Sequence, residues 1–436
     1  MMEQEELKRK LLGLWEKTTH NSKEMLSILF DYYFDIRYLE YQESEGKVVG
    51  ALCGIPDSFG FGQNRLKGLY LISLSSEEGF RKRGILAELL QNMNQRISKE
   101  FDFTFLVPHT ELLADYFGTQ GYFSSFFILE ERFTPIHDFT NDYLILINDS
   151  EERIRNLKSA LLKEINVIEN NEESIFPKEQ IIKFIEEIEK KATSSVNLNH
   201  TVKDLGYILS EGSIRNLRSY IAYDGDGRIT GVMFSQKGDI NRVNIVASFV
   251  ADICSYYALL EFIKKHNHDF SLSVITSDPK FQTHYLIQQT YASENPAGGD
   301  LDTTISTLEI PFNINKLLQP LGMVRLLRFD RIMEYIANTR SDVEFKLHIR
   351  NFSLSHQNLG TDKNDSQPED DKVVFVVKNG KCQIEPFAKF QNDRTVLNLT
   401  KKEVSELLLR KNDSSNLIME AFGIPRLNLQ MRLLPC

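Results

Sequence analysis

Residues Leu74 to Ala87 read LSSEEGFRKRGILA, and this stretch decides how the rest of the chain is organised. The run Leu69 to Leu74 predicts a strand, and a short acidic turn with Gly79 follows it. Arg81-Lys82-Arg83-Gly84 then opens a segment whose Ile85, Leu86, Leu89, Leu90, Met93 and Ile97 fall on one face of a helix. A helix start exposes unpaired N–H groups and a partial positive charge, which together suit a diphosphate. Gly84 removes the Cβ where a phosphate would approach the backbone. Two readings fit these residues: a phosphate cradle, and a plain surface helix start with incidental basic side chains.

Working outward, two helical patterns come first, through Leu7, Leu11, Leu14 and Trp15 and through Met25, Leu26, Leu29 and Phe30. A strand pair follows at Tyr38 to Gln42 and Val48 to Gly54, turning at Glu45-Gly46. Beyond the central helix, Phe103 to Val107 predicts a strand closed by Pro108, and a short helix leads to Gly121-Tyr122. The order predicts an α/β fold over residues 1–135. A second unit, 140–325, is expected to be helical from Asp142 through Glu189, with Pro177 opening a new helix. Arg218 to Tyr223, the turn Asp224-Gly225-Asp226-Gly227 and Ile229 to Ser235 then predict a hairpin. Val243 to Val250, Tyr256 to His266 and Leu272 to Thr276 predict strand, helix and strand, repeating the first unit and implying an internal duplication. Residues 328–436 predict a small α+β domain containing a solvated acidic loop, Gly360 to Asp371, and ending in helices to Phe422 and an apolar tail.

Composition narrows the partners. At roughly 150 residues per domain, 436 residues predict about three domains. Lys and Arg number 51 against 61 Asp and Glu, a net charge of −10, which disfavours nucleic acid and mildly favours a cationic partner such as an amine. Cys53, Cys254, Cys382 and Cys436 are scattered without metal or disulfide spacing, and His266 and His268 lack neighbouring ligands, so no metal is expected. The opening MMEQEELKRK lacks the apolar core of a signal peptide, and Ile245 to Ile263 carries Asp252 and Glu261, so a cytoplasmic protein without a membrane span is expected.

The central stretch resembles motif A of the GNAT superfamily of N-acetyltransferases, Arg/Gln-x-x-Gly-x-Gly/Ala: Arg81 and Gly84 match, and Leu86 departs from the final small residue. Phe105 to Tyr122, FLVPHTELLADYFGTQGY, looks like the family's closing signature. Its usual tyrosine, which protonates the departing CoA thiolate, is Phe117 here, with Tyr116 adjacent. Core packing is the plainer reading of both rings, and His109 beside Pro108 reads either as a cleft residue or as an ordinary hydrogen-bonding histidine. Leu321-Gly322-Met323-Val324-Arg325 is similar to the Gly-Met-Val-Arg turn of Eis-type (enhanced intracellular survival) proteins. The remainder resembles their sterol-carrier-protein-like domain.

The resemblance implies two tandem GNAT-like domains followed by that third domain, with acetyl-CoA as co-substrate and no metal. The acceptor would be an amine on a small molecule or peptide, and a homo-oligomer is among the states implied. The backbone of Leu74, Ser75 and Ser76 would flank the pantetheine, and amides from Lys82 through Arg83, Gly84, Ile85 and Leu86 to Ala87 would hold the diphosphate. The carboxylate of Cys436, after Leu433-Leu434-Pro435, would act as base or orienting anion; packing of this tail against the third domain is the alternative. In the second unit, Val250-Ala251-Asp252-Ile253-Cys254 offers neither Arg nor Gly at the matching place, so that copy is expected to be structural. With Phe117 in the acid position, a catalytically impaired acyl-CoA-binding or scaffold protein is the competing reading. Lipid binding by the third domain is another.

Overall fold

The computed structural model describes residues 2–19, 21–61, 64–137, 139, 165–170, 178–191, 196–198, 200–214, 217–238, 241–276, 315–339, 343–350, 352, 372–390, 393, 395–409 and 429–430. The loop Gly360 to Asp371, the helix expected to end at Phe422 and the tail through Cys436, apart from Leu429 and Gln430, lie outside the described residues.

The first part runs α1 (Met2–Thr18), α2 (Lys23–Tyr33), β1 (Leu39–Ser44), β2 (Lys47–Phe61), β3 (Asn64–Ser76), α3 (Ile85–Ile97), β4 (Phe103–Leu106), α4 (Glu111–Thr119) and β5 (Phe123–Phe133). The strands β2 and β3 are longer than their apolar runs suggest, because they pair with each other without interruption from Gly50/Ser76 down to Phe61/Asn64, apart from one bulge. Their side chains alternate between two layers. Ala51, Cys53, Ile55 and Phe59 join Leu11, Leu14 and Trp15 of α1 and Leu29 and Phe30 of α2. Val49, Leu52, Leu69 and Leu71 join Leu89, Leu90 and Met93 of α3 and Phe117 of α4 on the opposite face.

The next elements are β6 (Asn166–Asn170), α5 (Lys178–Lys191), β7 (Val196–Leu198), α6 (Val202–Ile214), β8 (Arg218–Tyr223), β9 (Ile229–Lys237), β10 (Arg242–Val250), α7 (Ile253–His266), β11 (Ser271–Thr276) and β12 (Asn315–Leu326). Asn166–Asn170, expected within a helix, is a strand. Its β-branched Val167 and Ile168 sit in an antiparallel ladder with β8, and that pairing overrides local helical preference. The hairpin of β8 and β9 forms as expected: the Asp224 carboxylate accepts from the Asp226 and Arg228 amides at 3.0 and 2.8 Å.

The duplication is visible in the pairing. The parallel pair β3–β4 is matched by the parallel pair β10–β11, each joined by a helix. Residues Met323, Val324 and Arg325, expected in a turn, lie instead inside β12, which is inserted between β4 and β5. The strand β5 in turn borders β11, so one sheet, of 13 strands among the described residues, joins both halves. A separate four-stranded sheet is built from β13 (Phe345–Arg350), β14 (Val373–Lys378), β15 (Lys381–Pro386) and β16 (Val396–Thr400). It packs with α8 (Phe329–Thr339) and α9 (Lys401–Leu409) onto the apolar layer under α1 and α2. The short β17 (Leu429–Gln430) pairs with β7 at the edge of the large sheet. No described helix is long and apolar enough to cross a membrane.

A seam of titratable groups ties α2 and β2 to the second half. Tyr33 Oη donates to Asp204 Oδ1 at 2.8 Å, and His200 Nδ1 lies 2.6 Å from Glu189 Oε1. Asp57 on β2 is only partly covered as a residue, yet its Oδ2 is shut off from water and has no hydrogen-bond partner among the described residues. Burial first, and then the Asp204 charge, push the Asp57 carboxyl up to about 8, with His200 opposing the shift. The unfolded value is about 4. The native state therefore holds a proton that the unfolded chain has lost, and stability declines as pH rises from about 4 to about 8. Asp57→Asn is expected to flatten that decline and to raise the melting temperature most at pH 8. Thermal melts between pH 5 and 9 check this; an unchanged slope in the variant would place its source elsewhere.

Candidate functional site

The site begins where two parallel strands part. Pairing between β3 and β4 covers only Gly68–Tyr70 against Phe103–Phe105. Beyond Tyr70, β3 runs on to Ser76 and, among the described residues, pairs only with β2, while β4 stops at Leu106. The strand β12 occupies the far side of β4 through Met323 to Leu326. A wedge therefore opens along the edge of β3 from Leu71 to Ser76, lined by main-chain groups that no neighbouring strand takes up among the described residues. Within it, β3 carries a bulge opposite Ala51–Cys53, and Ser73 adopts φ +53°. A bulge of this kind bends the strand and re-aims its groups. Ser75 and Ser76 are buried and Leu74 is half-buried, packed toward α3 and α4.

The strand leads directly into an anion-type cradle. A short 3₁₀ turn, Glu78–Phe80, precedes α3, and Gly84 stands at the helix N-cap with φ +82° and no side-chain cap. Lys82 is also left-handed at φ +63°, while Arg83 is not. Alternating backbone hands of this kind turn successive N–H groups to one side, and the first-turn amides of a helix have no internal partners. An added Cβ at Gly84 would meet nothing within 4 Å, so the space in front of these amides is open. Arg81, Lys82 and Arg83 are exposed, and the Arg83 guanidinium stacks over the Phe80 ring at 4.9 Å. Ile85 is buried and packs where a Cβ on Gly50 would come within 2.5 Å of it, so this glycine lets α3 lie close on β2. Only the amide of Ile85 can serve a ligand. Leu86 and Ala87 are half-buried.

On the other side, α4 starts at Thr110, whose Oγ1 accepts from the Leu113 amide at 3.2 Å. Phe117 is 5% exposed, edge-on to Tyr116 at 5.3 Å and to Tyr122 at 6.1 Å between ring centroids. Tyr116 is half-buried, and burial raises its phenol above the ordinary value, so the proton stays on the oxygen. Its hydroxyl has no hydrogen-bond partner among the described residues. Tyr122 is committed elsewhere. Thr104 Oγ1 donates to Asn94 Oδ1 at 2.9 Å, leaving Tyr122 Oη to donate to Thr104 at 3.0 Å and to accept from Asn94 Nδ2 at 3.5 Å. This buried triad pins α3, β4 and the start of β5 together around the wedge.

The structure thus brings Leu74, Ser75, Ser76 and the segment from Arg81 to Ala87 to one continuous edge, with Tyr116 and Phe117 on the facing helix. His109 is exposed beside Pro108. Cys436 lies outside the described residues. The Arg81 side chain lines a separate cleft against α1. The left-handed backbones of Ser73 and Lys82 carry no sign in the sequence, because neither residue type signals a positive φ. In the second half, the corresponding helix α7 is closed: the Asp252 carboxylate accepts from the Ser255 amide at 2.7 Å and from Ser255 Oγ at 3.0 Å. That helix start already holds an anion.

No family model matches the chain, and no curated protein does. Among solved structures it is similar to a conserved protein of unknown function and probable N-acyltransferase from Enterococcus faecalis V583. The two share 14% identity with a TM-score of 0.64, over 96% of this chain and 91% of that one. It is also similar to a GCN5-related N-acetyltransferase from Anabaena variabilis ATCC 29413, at 14% identity and TM-score 0.61, over 95% and 90% of the two chains. Eis1 from Mycobacterium abscessus matches at 10% identity and TM-score 0.54, over 92% and 90%. At these identities the likeness is one of fold, and it spans almost the whole chain.

Proposed function

We propose that the protein is an acetyl-CoA-dependent N-acetyltransferase acting on an amine, with its one CoA site in the first half. The observation that carries this reading is the continuity of the wedge edge Leu71–Ser76 with the uncapped helix start at Gly84. A thioester with a long amide-bearing arm and a diphosphate needs these two features in this order. The strand groups of Leu74 to Ser76 would take the arm, and the amides from Lys82 to Ala87 would take the diphosphate. The neighbours named as N-acetyltransferases support the same reading at the level of fold.

The thioester supplies the acyl group, and the amine supplies the nucleophile. An alkyl ammonium has a pKa near 10 and must lose its proton before attack. Amides at the Ser73 bulge are suited to polarising the thioester oxygen, which is where negative charge develops. Holding both reactants in the wedge would contribute much of the remaining acceleration. A phenol at the position of Phe117 would protonate the leaving thiolate, and here the ring has no proton to give. This buried phenyl ring supports a second reading, an acyl-CoA-binding protein with little or no turnover.

Calorimetry with CoA and thiol release from acetyl-CoA over a panel of alkyl amines test both. The expected result is one CoA per chain and amine-dependent thiol release. Binding without release in any amine would favour the second reading, and two CoA molecules per chain would contradict the closed α7 site.

A further inference from the structure

A cleft of about 370 Å³ lies between α1 and the turn that follows β3, on the β2 side of β3 and away from the wedge. One face of α1 lines it through Arg9, Gly13 and Lys17; Lys47 enters from the start of β2 and Arg81 from the turn. Lys10 also borders it but is held by Glu43 at 3.0 Å. Arg9, Lys17, Lys47 and Arg81 have no carboxylate partner among the described residues. Glu77 and Glu78 also line the cleft and are likewise without ion-pair partners. The four uncommitted cations outnumber these two carboxylates by two charges, in a protein whose net charge is −10. A glycine in mid-helix is less favourable than alanine. Gly13 is such a residue, and nothing lies within 4 Å of where its Cβ would be. The missing side chain leaves the cleft open.

We propose that this cleft is a second anion site, built for a phosphate monoester, and that the Arg81 side chain belongs to it. A phosphate dianion matches the excess of two positive charges. Two guanidinium groups and two ammonium groups offer the charge-assisted donors that phosphate oxygens accept best. Because Arg81 lies in the turn leading to Gly84, the cleft and the cradle are neighbours along one loop. The phosphate can come from two sources. One is a separate phosphomonoester; the other is the 3′-phosphate of a bound CoA, and this second source rests on the acyl-CoA reading.

Calorimetry on the full chain separates them, using inorganic phosphate, CoA and 3′-dephospho-CoA as probes. Two variants are compared with wild type: Arg9→Ala/Lys17→Ala, which removes charge, and Gly13→Met, which fills the cleft without altering charge. If CoA supplies the phosphate, 3′-dephospho-CoA binds wild type about tenfold more weakly than CoA, and both variants erase the difference by weakening CoA alone. If the ligand is separate, inorganic phosphate binds wild type, both variants weaken it by about tenfold or more, and CoA and 3′-dephospho-CoA stay alike throughout. Variants that bind all three probes as wild type does overturn the proposal. Wild-type protein that binds phosphate at the cleft but no CoA would leave the site standing and remove the acyl-CoA reading.

Discussion

Gly84→Asp is expected to lower CoA affinity by about a hundredfold or more while shifting the melting temperature by only a few degrees. The new carboxylate would project into open space in front of the α3 amides, where an added Cβ meets nothing. Two like charges about 4 Å apart at an effective dielectric near 20 repel by about 4 kcal/mol, or close to three powers of ten in affinity. Solvent screening at this exposed site reduces that figure, which leaves about two powers of ten. The fold has less at stake. Gly84 sits at φ +82°, and a left-handed backbone costs an L-residue about 1–2 kcal/mol, less for Asp than for most. Gly84→Ala carries the same strain without the charge and is expected to keep CoA affinity within several-fold. If calorimetry finds that the Asp variant binds CoA like wild type, the cradle has been misplaced.

The second large effect concerns the acid. Phe117→Tyr is expected to raise turnover with the accepted amine by about tenfold or more. General-acid help ranges over about 10²–10⁴-fold, and a thiolate, being a good leaving group, needs the lower end of it. The ring sits in the layer between α3 and α4, with its main-chain carbonyl accepting from the Tyr122 amide at 3.1 Å, so a tyrosine inherits the same anchorage. The new hydroxyl has two fates. In the wedge it meets water and the leaving sulfur, and stability stays level. Driven into the core it goes unpaired, which costs about 1–3 kcal/mol. Turnover and melting temperature therefore answer together: a lower melting temperature with unchanged turnover would end the assignment of Phe117 to the acid position. Tyr116→Phe provides the control. Tyr116 packs beside Phe117 with its proton retained, and if it served as the acid already, that variant would lose activity and Phe117→Tyr would add little.

The face Ile85, Leu89, Leu90 and Met93 was readable because helical periodicity is local, and it is the face that α3 buries. The Asp224–Gly227 turn was readable for a similar reason, since its hydrogen bonds are made within the turn itself. The duplicated order of strand, helix and strand followed from both, and so did the contrast between a glycine at one helix start and an aspartate at the other.

Other features depend on partners distant in the chain. Met323 to Leu326 is a strand because β4 and β5 leave a gap that only a segment roughly two hundred residues away fills. No local pattern records such a vacancy. Asn166 to Asn170 reads as part of a helix until β8 offers it a ladder. The left-handed backbone of Ser73 arises from a bulge between two long strands, and a serine carries no sign of it. Its spacing from Gly84 puts Arg81 at the cradle, yet which cleft its side chain lines depends on where α1 packs. Asp57 joins Asp204 and His200 only because α6 lies across α2. Local spacing determined which segments form elements and where a helix start stands open. Tertiary pairing decided which strands part to make the wedge, which charges meet and which side chains face each cleft, because those contacts close over chain distances that periodicity and turn chemistry do not span.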